Sequence, residues 1–255
     1  MKVPFKNTFD NAKLYDNFAN YALWISTILI IIAFLLKLVY PDLSYISNII
    51  NKVNCLFIVA YAVLNFITDY IFYKASYHKR LDFIDNSFNT LYSEENSSEY
   101  YSNDDIENGI YKLAVNSFEN SLFTYNISKK MLIKVWIKNT LIALTFLILA
   151  IFGYENAFVL LLQLTLPILL LSKAIKLTIF VNRVNRIYEN YRKLFQNLKT
   201  NRTNTLTTPE ILINVIEYES TLSWGGILLD SNIYNSMNDK LSKIWNGIKD
   251  KYKIK

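Results

Sequence analysis

The sequence predicts an all-α integral membrane protein, with four transmembrane helices and a helical cytoplasmic module formed by the central insert and the C-terminal tail. Three observations carry this expectation. Hydrophobic residues make up 52% of the 255-residue chain, and only five Gly and four Pro interrupt it. The apolar residues gather into four blocks instead of spreading evenly, as they do in a water-soluble globule. Lys and Arg fall on alternate sides of those blocks.

The N-terminal arm, residues 1–20, is not Arg-rich as a transit peptide is. The blocks "YALWISTILIIIAFLLKLVY" (21–40) and "VNCLFIVAYAVLNFITDYIFY" (53–73) follow. Each supplies the roughly 20 mostly apolar residues that cross a hydrocarbon core, so they predict a first transmembrane hairpin over 21–73. The first block is too long for a signal peptide, and bulky "KLVYPDLSY" stands where small cleavage-site residues are needed. "TLIALTFLILAIFGY" (140–154) and "AFVLLLQLTLPILLL" (157–171) reach span length when the Lys residues at their ends snorkel to the headgroups. They predict a second hairpin over 132–176. A competing reading makes this pair the buried hairpin of a soluble protein. None of the four blocks, however, shows the charged face of a globule's surface helix.

Cytoplasmic flanks collect Lys and Arg. Lys2, Lys6 and Lys13 precede the first block, and Lys74, Lys79, Arg80, Lys129 and Lys130 bound the central insert, residues 74–131. Lys173, Lys176, Arg183 and Arg186 follow the fourth block. The connection after the first block has no basic residue until Lys52, and "GYEN" between the third and fourth has only an acid. The N-terminus, the insert and the tail, residues 177–255, are therefore all expected on the cytoplasmic side. The net charge of +6 resides mainly in the tail: from Lys173 onward there are 14 basic against 7 acidic residues, whereas residues 74–130 carry 6 against 9. A basic juxtamembrane segment is drawn to anionic lipid, which accounts for the charge without nucleic acid.

Past the fourth block, Leu177, Val181, Val184, Tyr188, Tyr191, Phe195 and Leu198 recur at alternating steps of four and three. That spacing predicts a helical stalk with one apolar seam. The seam either packs on the chain's own insert or meets a neighbouring subunit. "TTPEILINVIEYESTLSW" predicts a further helix, with Thr208 as N-cap and Pro209 in the first turn, stopped by Gly225–Gly226. A last amphipathic helix is expected from a cap at Asn238. In the insert, "SEENSSEYYSNDD" reads as a loop. "DIENGIYKLAVNSFENSLFTYNISKKML" reads as a helix leading to the third span. The phrases "IDNSFNTLY" and "VNSFENSLFTY" echo one another, as a duplication or as chance in an Asn-rich chain.

Catalytic chemistry finds little to work with. The one His, His78, stands at the membrane boundary beside Lys79 and Arg80, and the one Cys, Cys55, lies in the second span. No zinc set of ordinary ligands can be assembled from them, and five Gly leave no P-loop or dinucleotide fingerprint. The i,i+3 pair Asp82 and Asp85 reads as a solvated face rather than an acid–base dyad. No enzyme, metal or cofactor is expected. Polar residues inside the spans remain: Asn54, Asn65 and Asp69 share one face of the second, and Gln163 lies in the fourth. They either line a water path or bond between helices.

The stretches "HKRLDFIDNSFNT", "YYSNDDIENGIYKLAVNSFENSLF" and "YESTLSWGGILLDSNIYNSMNDKLSKIW", set around four spans, resemble the SMODS-associating four-transmembrane effectors of bacterial anti-phage defence. The resemblance implies a pore-forming effector in the bacterial inner membrane that forms homo-oligomers. It would stay silent until a cyclic nucleotide or a nucleotide-sensing protein triggers it. On that view the insert and tail sense the trigger. Lys79, Arg80, Arg183 and Arg186 would meet phosphates. Asp82, Asp85, Asn86, Tyr100, Tyr101, Asn116, Glu119 and Asn120 would hold a base or a partner, while Asn54, Asn65, Asp69 and Gln163 line the pore. The rival reading is a non-conducting membrane-anchored scaffold whose acidic insert and apolar seam dock a cytoplasmic partner.

Overall fold

The computed structural model describes residues 5–93, 97, 103–153, 157–198 and 207–254; side chains at 150, 152–153 and 157–163 are outside the description. Among the described residues there are six α-helices and no strand. They are α1 (Lys6–Val39), α2 (Ser44–Phe88), α3 (Ile110–Gly153), α4 (Ala157–Leu198), α5 (Thr208–Gly225) and α6 (Ser231–Tyr252). A single 3-10 turn, Pro41–Leu43, joins α1 to α2.

Four of these helices are long and apolar enough to cross a membrane. Their most apolar windows have mean hydropathies of 2.5, 1.9, 1.8 and 1.9, yet only 33%, 17%, 28% and 39% of those windows is buried within the protein. A hairpin at the core of a soluble protein would be sheltered on all sides. Here Phe66, Leu56, Ile137, Leu141 and Ile168 lie exposed, far more apolar surface than a soluble monomer leaves to water. At 1.5 Å per residue α2 alone is about 68 Å long, roughly twice a hydrocarbon core, so the spans are parts of longer helices.

The chain divides into two compact units. One comprises Asp10–Ile71 and Ile133–Lys176; the other comprises Met1–Phe9, Phe72–Leu132 and Leu177–Lys255. Helices α2, α3 and α4 each contribute residues to both.

The first unit is a four-helix arrangement around Leu23, Ile30, Ile58, Ile142, Phe146, Leu166 and Leu170. Buried Ala19, Ala22, Ser26 and Ala33 give α1 a small-residue face, which lets backbones approach where no water drives association. Buried polar groups bond between helices. Ser26 Oγ donates to Asn54 Oδ1 at 2.6 Å, Ser47 Oγ to the Ala33 carbonyl at 2.8 Å, and Asn139 Nδ2 to the Leu170 carbonyl at 3.0 Å.

The second unit is built on Phe118 of α3. Its ring stacks on Phe195 at 5.1 Å and on Tyr191 at 5.6 Å, with Trp245 of α6 edge-on at 5.4 Å. Tyr191 Oη donates to Ser117 Oγ at 2.7 Å, and the Thr124 and Tyr218 hydroxyls share a bond of 2.9 Å. A smaller cluster joins Ile127 of α3 to Ile233 and Leu241 of α6. The seam on α4 is thus largely buried within the chain, and α3 covers its Tyr188, Tyr191 and Phe195 part. Ile187 and Leu194 are also fully buried and widen it beyond the strict spacing.

Two helix starts differ from expectation. The α5 cap is Thr207, with Thr208 and Pro209 already in the first turn. α6 begins at Ser231, well before Asn238, because the Asp230 carboxylate accepts from the amides of Asn232 and Ile233 at 2.8 and 3.1 Å. The stop after α5 lies where the sequence puts it. Gly226 takes a left-handed φ of 56°, and a Cβ at Gly225 would come within 2.4 Å of the Phe180 ring.

Candidate functional site

In the four-helix unit, polar side chains from every helix meet in one layer. Asp16 and Asn20 lie one turn apart on α1, and Asn20 Nδ2 donates to the Asp16 carbonyl and to its Oδ2 at 2.8 and 3.1 Å. Lys138 of α3 donates to Asn20 Oδ1 at 2.7 Å. Lys173 of α4 donates to Asn65 Oδ1 of α2 and sits 5.2 Å from the centre of the Tyr61 ring. Asn65 Nδ2 turns back to the Tyr61 carbonyl at 2.6 Å. Asp16 and Asp69 both attract the Lys173 ammonium electrostatically, and Asp69 itself is exposed.

The layer has a definite place along the helices. From it to the far ends of α1, α2, α3 and α4 run roughly 15 to 23 residues, about 23–35 Å, which is close to a hydrocarbon core. Asn54 lies deeper, 0% exposed, with its Oδ1 held by Ser26. Its Nδ2 is one of three buried side-chain polar atoms without a hydrogen-bond partner among the described residues, the others being Asn103 Oδ1 and Trp245 Nε1. Of the sequence candidates, then, Asn65 and Asp69 belong to the layer and Asn54 to an interhelical bond. The Gln163 side chain is outside the described residues. Asp16, Asn20, Lys138 and Lys173 were missed as site residues. Their signal was present: an i,i+4 Asp–Asn pair and two lysines at the inner ends of apolar blocks.

The candidates of the second unit fall into three groups. Asp82 and Asp85 are only 2% and 3% exposed, so they do not form a solvated face. Asp85 accepts from Thr90 Oγ1, the Tyr92 amide and the Ser93 amide at 2.7, 2.8 and 2.7 Å. Asp82 accepts from the Ser97 amide and hydroxyl at 2.7 and 2.6 Å. The two carboxylates pin the chain that leaves α2. Burial pushes the Asp85 carboxyl up, but the donors on Ser93, Tyr92 and Thr90 outweigh it and hold it below the usual carboxylate range.

The second group is an amide chain. Asn116 Nδ2 donates to Asn86 Oδ1 at 2.9 Å, and Asn103 Nδ2 donates to Asn116 Oδ1 and Glu119 Oε2 at 2.9 and 2.7 Å. The two echoing Asn-Ser-Phe phrases therefore face each other across α2 and α3. Asn120, next along, is half-buried.

The basic residues form the third. Arg80 Nη1 donates to Ser223 Oγ of α5 at 2.9 Å. Burial pushes the Glu219 carboxyl up, with Lys79 and Arg80 pulling against it. Arg183 lies over the Trp224 ring at 4.6 Å, and Arg186 pairs with Glu217 at 3.0 Å. Tyr100 and Tyr101 are outside the described residues. The rings of Tyr191 and Phe195 both stack on Phe118 and all three are buried, so they form core rather than a platform for a base.

The chain matches no family model, no curated protein and no solved structure.

Proposed function

We propose that this chain is a gated membrane effector of bacterial anti-phage defence, seated in the inner membrane with its termini and central insert cytoplasmic. A nucleotide signal or a nucleotide-sensing partner triggers it, and it then opens or oligomerises and breaches the bilayer. The observation that supports this most is the polar layer. A cluster of charged side chains at the edge of the hydrocarbon core, held by partners on neighbouring helices, is a natural place for a switch. Here Lys138 bonds to Asn20 beside Asp16, joining α1 to α3, and Lys173 bonds to Asn65, joining α2 to α4, with the Asp16 charge acting on both lysines. Beyond that level, among the described residues, Ile30, Ile142, Phe146 and Leu166 are each 0% exposed. A single chain in this state is a shut bundle, and the layer is its latch.

The filled interior also favours the scaffold reading, in which the bundle anchors a cytoplasmic partner and never conducts. The acidic insert would be the docking surface, since the α4 seam is consumed internally. Membrane potential separates the two. The chain is expressed in bacteria alone and with its genomic neighbours, and a potential-sensitive dye is followed. Depolarisation that needs an activating neighbour supports the effector. An intact potential while a partner is recruited to the membrane overturns it in favour of the scaffold.

A further inference from the structure

Helix α2 buries a polar face. Ser47, Asn51, Asn54, Ile58, Tyr61 and Asn65 recur at steps of four and three, so they share one side of the helix. The first five are buried and Asn65 is half-buried. Leu56, Val59, Val63 and Phe66, on the remaining sides, are exposed. Every inward position but Ile58 thus carries a hydroxyl or an amide, whereas α3 and α4 bring Ile142, Phe146, Leu166 and Leu170 to the same core. From Ser47 to Asn65 the face runs about 27 Å, most of a hydrocarbon core, and it lies within one compact unit.

Bonds between helices use only part of this face. Asn54 Oδ1 accepts from Ser26, and Ser47 donates to the Ala33 carbonyl. Asn65 Nδ2 turns back to its own helix. Asn54 Nδ2 has no hydrogen-bond partner among the described residues, although Asn54 is 0% exposed. A buried amide N–H left over in this way is a place for water or an ion. Ile58 alone breaks the polar run. It stands one turn from Asn54, about 16 Å from Ser47 and about 10 Å from Asn65, in one cluster with Ile30, Ile142, Phe146 and Leu166. An apolar constriction in a polar passage expels water and so stops ions.

We infer that the polar face of α2 is the conducting path, that Ile58 is its plug, and that the permeant species are water and small ions of either sign. Amides and hydroxyls offer donors to anions and acceptors to cations, and no charged residue stands at Ser47, Asn51, Asn54 or Tyr61 to choose between them. At the Asn65 end, Lys138 and Lys173 stand with Asp16, so both signs are present there too. This rests on the reading of the bundle as a shut pore and adds the path, the plug and the permeant class.

The full chain would be reconstituted in liposomes loaded with KCl, and the release of each ion followed with an ion-selective electrode. The parent should be silent. Ile58→Asn should release both K+ and Cl− faster than the parent by roughly tenfold or more, because a wetted constriction conducts. Ile58→Leu keeps the plug apolar and should stay shut, as should Val63→Asn on the exposed side. Helical circular dichroism and a single species in detergent would show which variants fold, and the milder Ile58→Thr replaces Ile58→Asn if the latter does not. Silence of the folded polar variant, or an equal leak from Val63→Asn, would overturn the path. Release of one ion without the other would overturn the permeant class. A parent that depolarises cells with its activating neighbour, beside a silent polar variant, would sink the path and leave the effector reading. A leaking polar variant, in a chain that no neighbour ever opens, would sink the effector reading and leave the path.

Discussion

Asp85 illustrates what a single residue does here. Three residues just after α2 donate to it, so Asp85→Ala should leave several donors unsatisfied and weaken the segment's attachment by about 1–3 kcal/mol. Limited proteolysis after residue 89 should then quicken several-fold while α2 itself persists. The pH dependence follows from the same bonds. The folded carboxyl titrates below its unfolded value, so the stabilisation is present above an unfolded pKa of about 3.9 and is lost as pH falls through the folded value. Hydrogen exchange at the Tyr92 and Ser93 amides should therefore be protected near neutrality and released in acid. Exchange that stays pH-independent, after correction for its intrinsic rate, would contradict the anchor. Nothing local in the sequence distinguishes this carboxylate from a solvated one. Its partners lie five to eight residues away in a segment with no periodicity.

At the scale of elements, the turn between α5 and α6 rests on a close approach and a cap. Gly225→Ala would drive a methyl into the Phe180 ring, a small-to-large change worth about 1–3 kcal/mol, and should lower the midpoint of thermal unfolding in detergent. Asp230→Ala removes the α6 cap, about 1 kcal/mol, and Asp230→Asn should restore most of it. A Gly225→Ala protein as stable as the parent would mean that Phe180 moves aside freely. The seam on α4 was legible as a spacing, since four–three steps belong to one helical face. Which surface covers it was not, because the same spacing suits a neighbour in the same chain or in another. The aromatic stack of Phe118 on Tyr191 and Phe195 answered that. The last helix was placed too late, because Asn238 resembles a cap and the "ILLD" before Ser231 resembles a strand or loop until Asp230 is seen accepting two amides.

For the whole molecule, the expected topology has a direct check. In a Cys55→Ser background, Asp42→Cys should react with a membrane-impermeant thiol reagent on intact spheroplasts, whereas Lys243→Cys should react only after lysis. The reverse pattern would invert the orientation and remove the cytoplasmic sensing reading. The latch makes its own prediction. Lys138→Met strips Asn20 of its donor and leaves Asp16 with one cation fewer, so depolarisation should begin without the activating neighbour. An unchanged, trigger-dependent potential in that variant, with normal membrane insertion, would reduce the layer to a structural bond.

The sequence by itself determined the class of protein and the number of candidate spans. Hydrophobic runs of span length leave a chain few choices, because backbone polar groups in lipid must be satisfied within a helix. It also determined the α5 stop, since Gly at a left-handed position is a local requirement. The tertiary structure decided which polar residues act together. Asp16, Asn20, Asn65, Lys138 and Lys173 are spread over more than 150 positions and become neighbours only when four helices pack, so no window of sequence contains the layer. It likewise turned Asp82, Asp85 and Asn116 from surface candidates into buried anchors. Burial depends on what the rest of the chain brings to a residue, and a lone side chain carries no record of that.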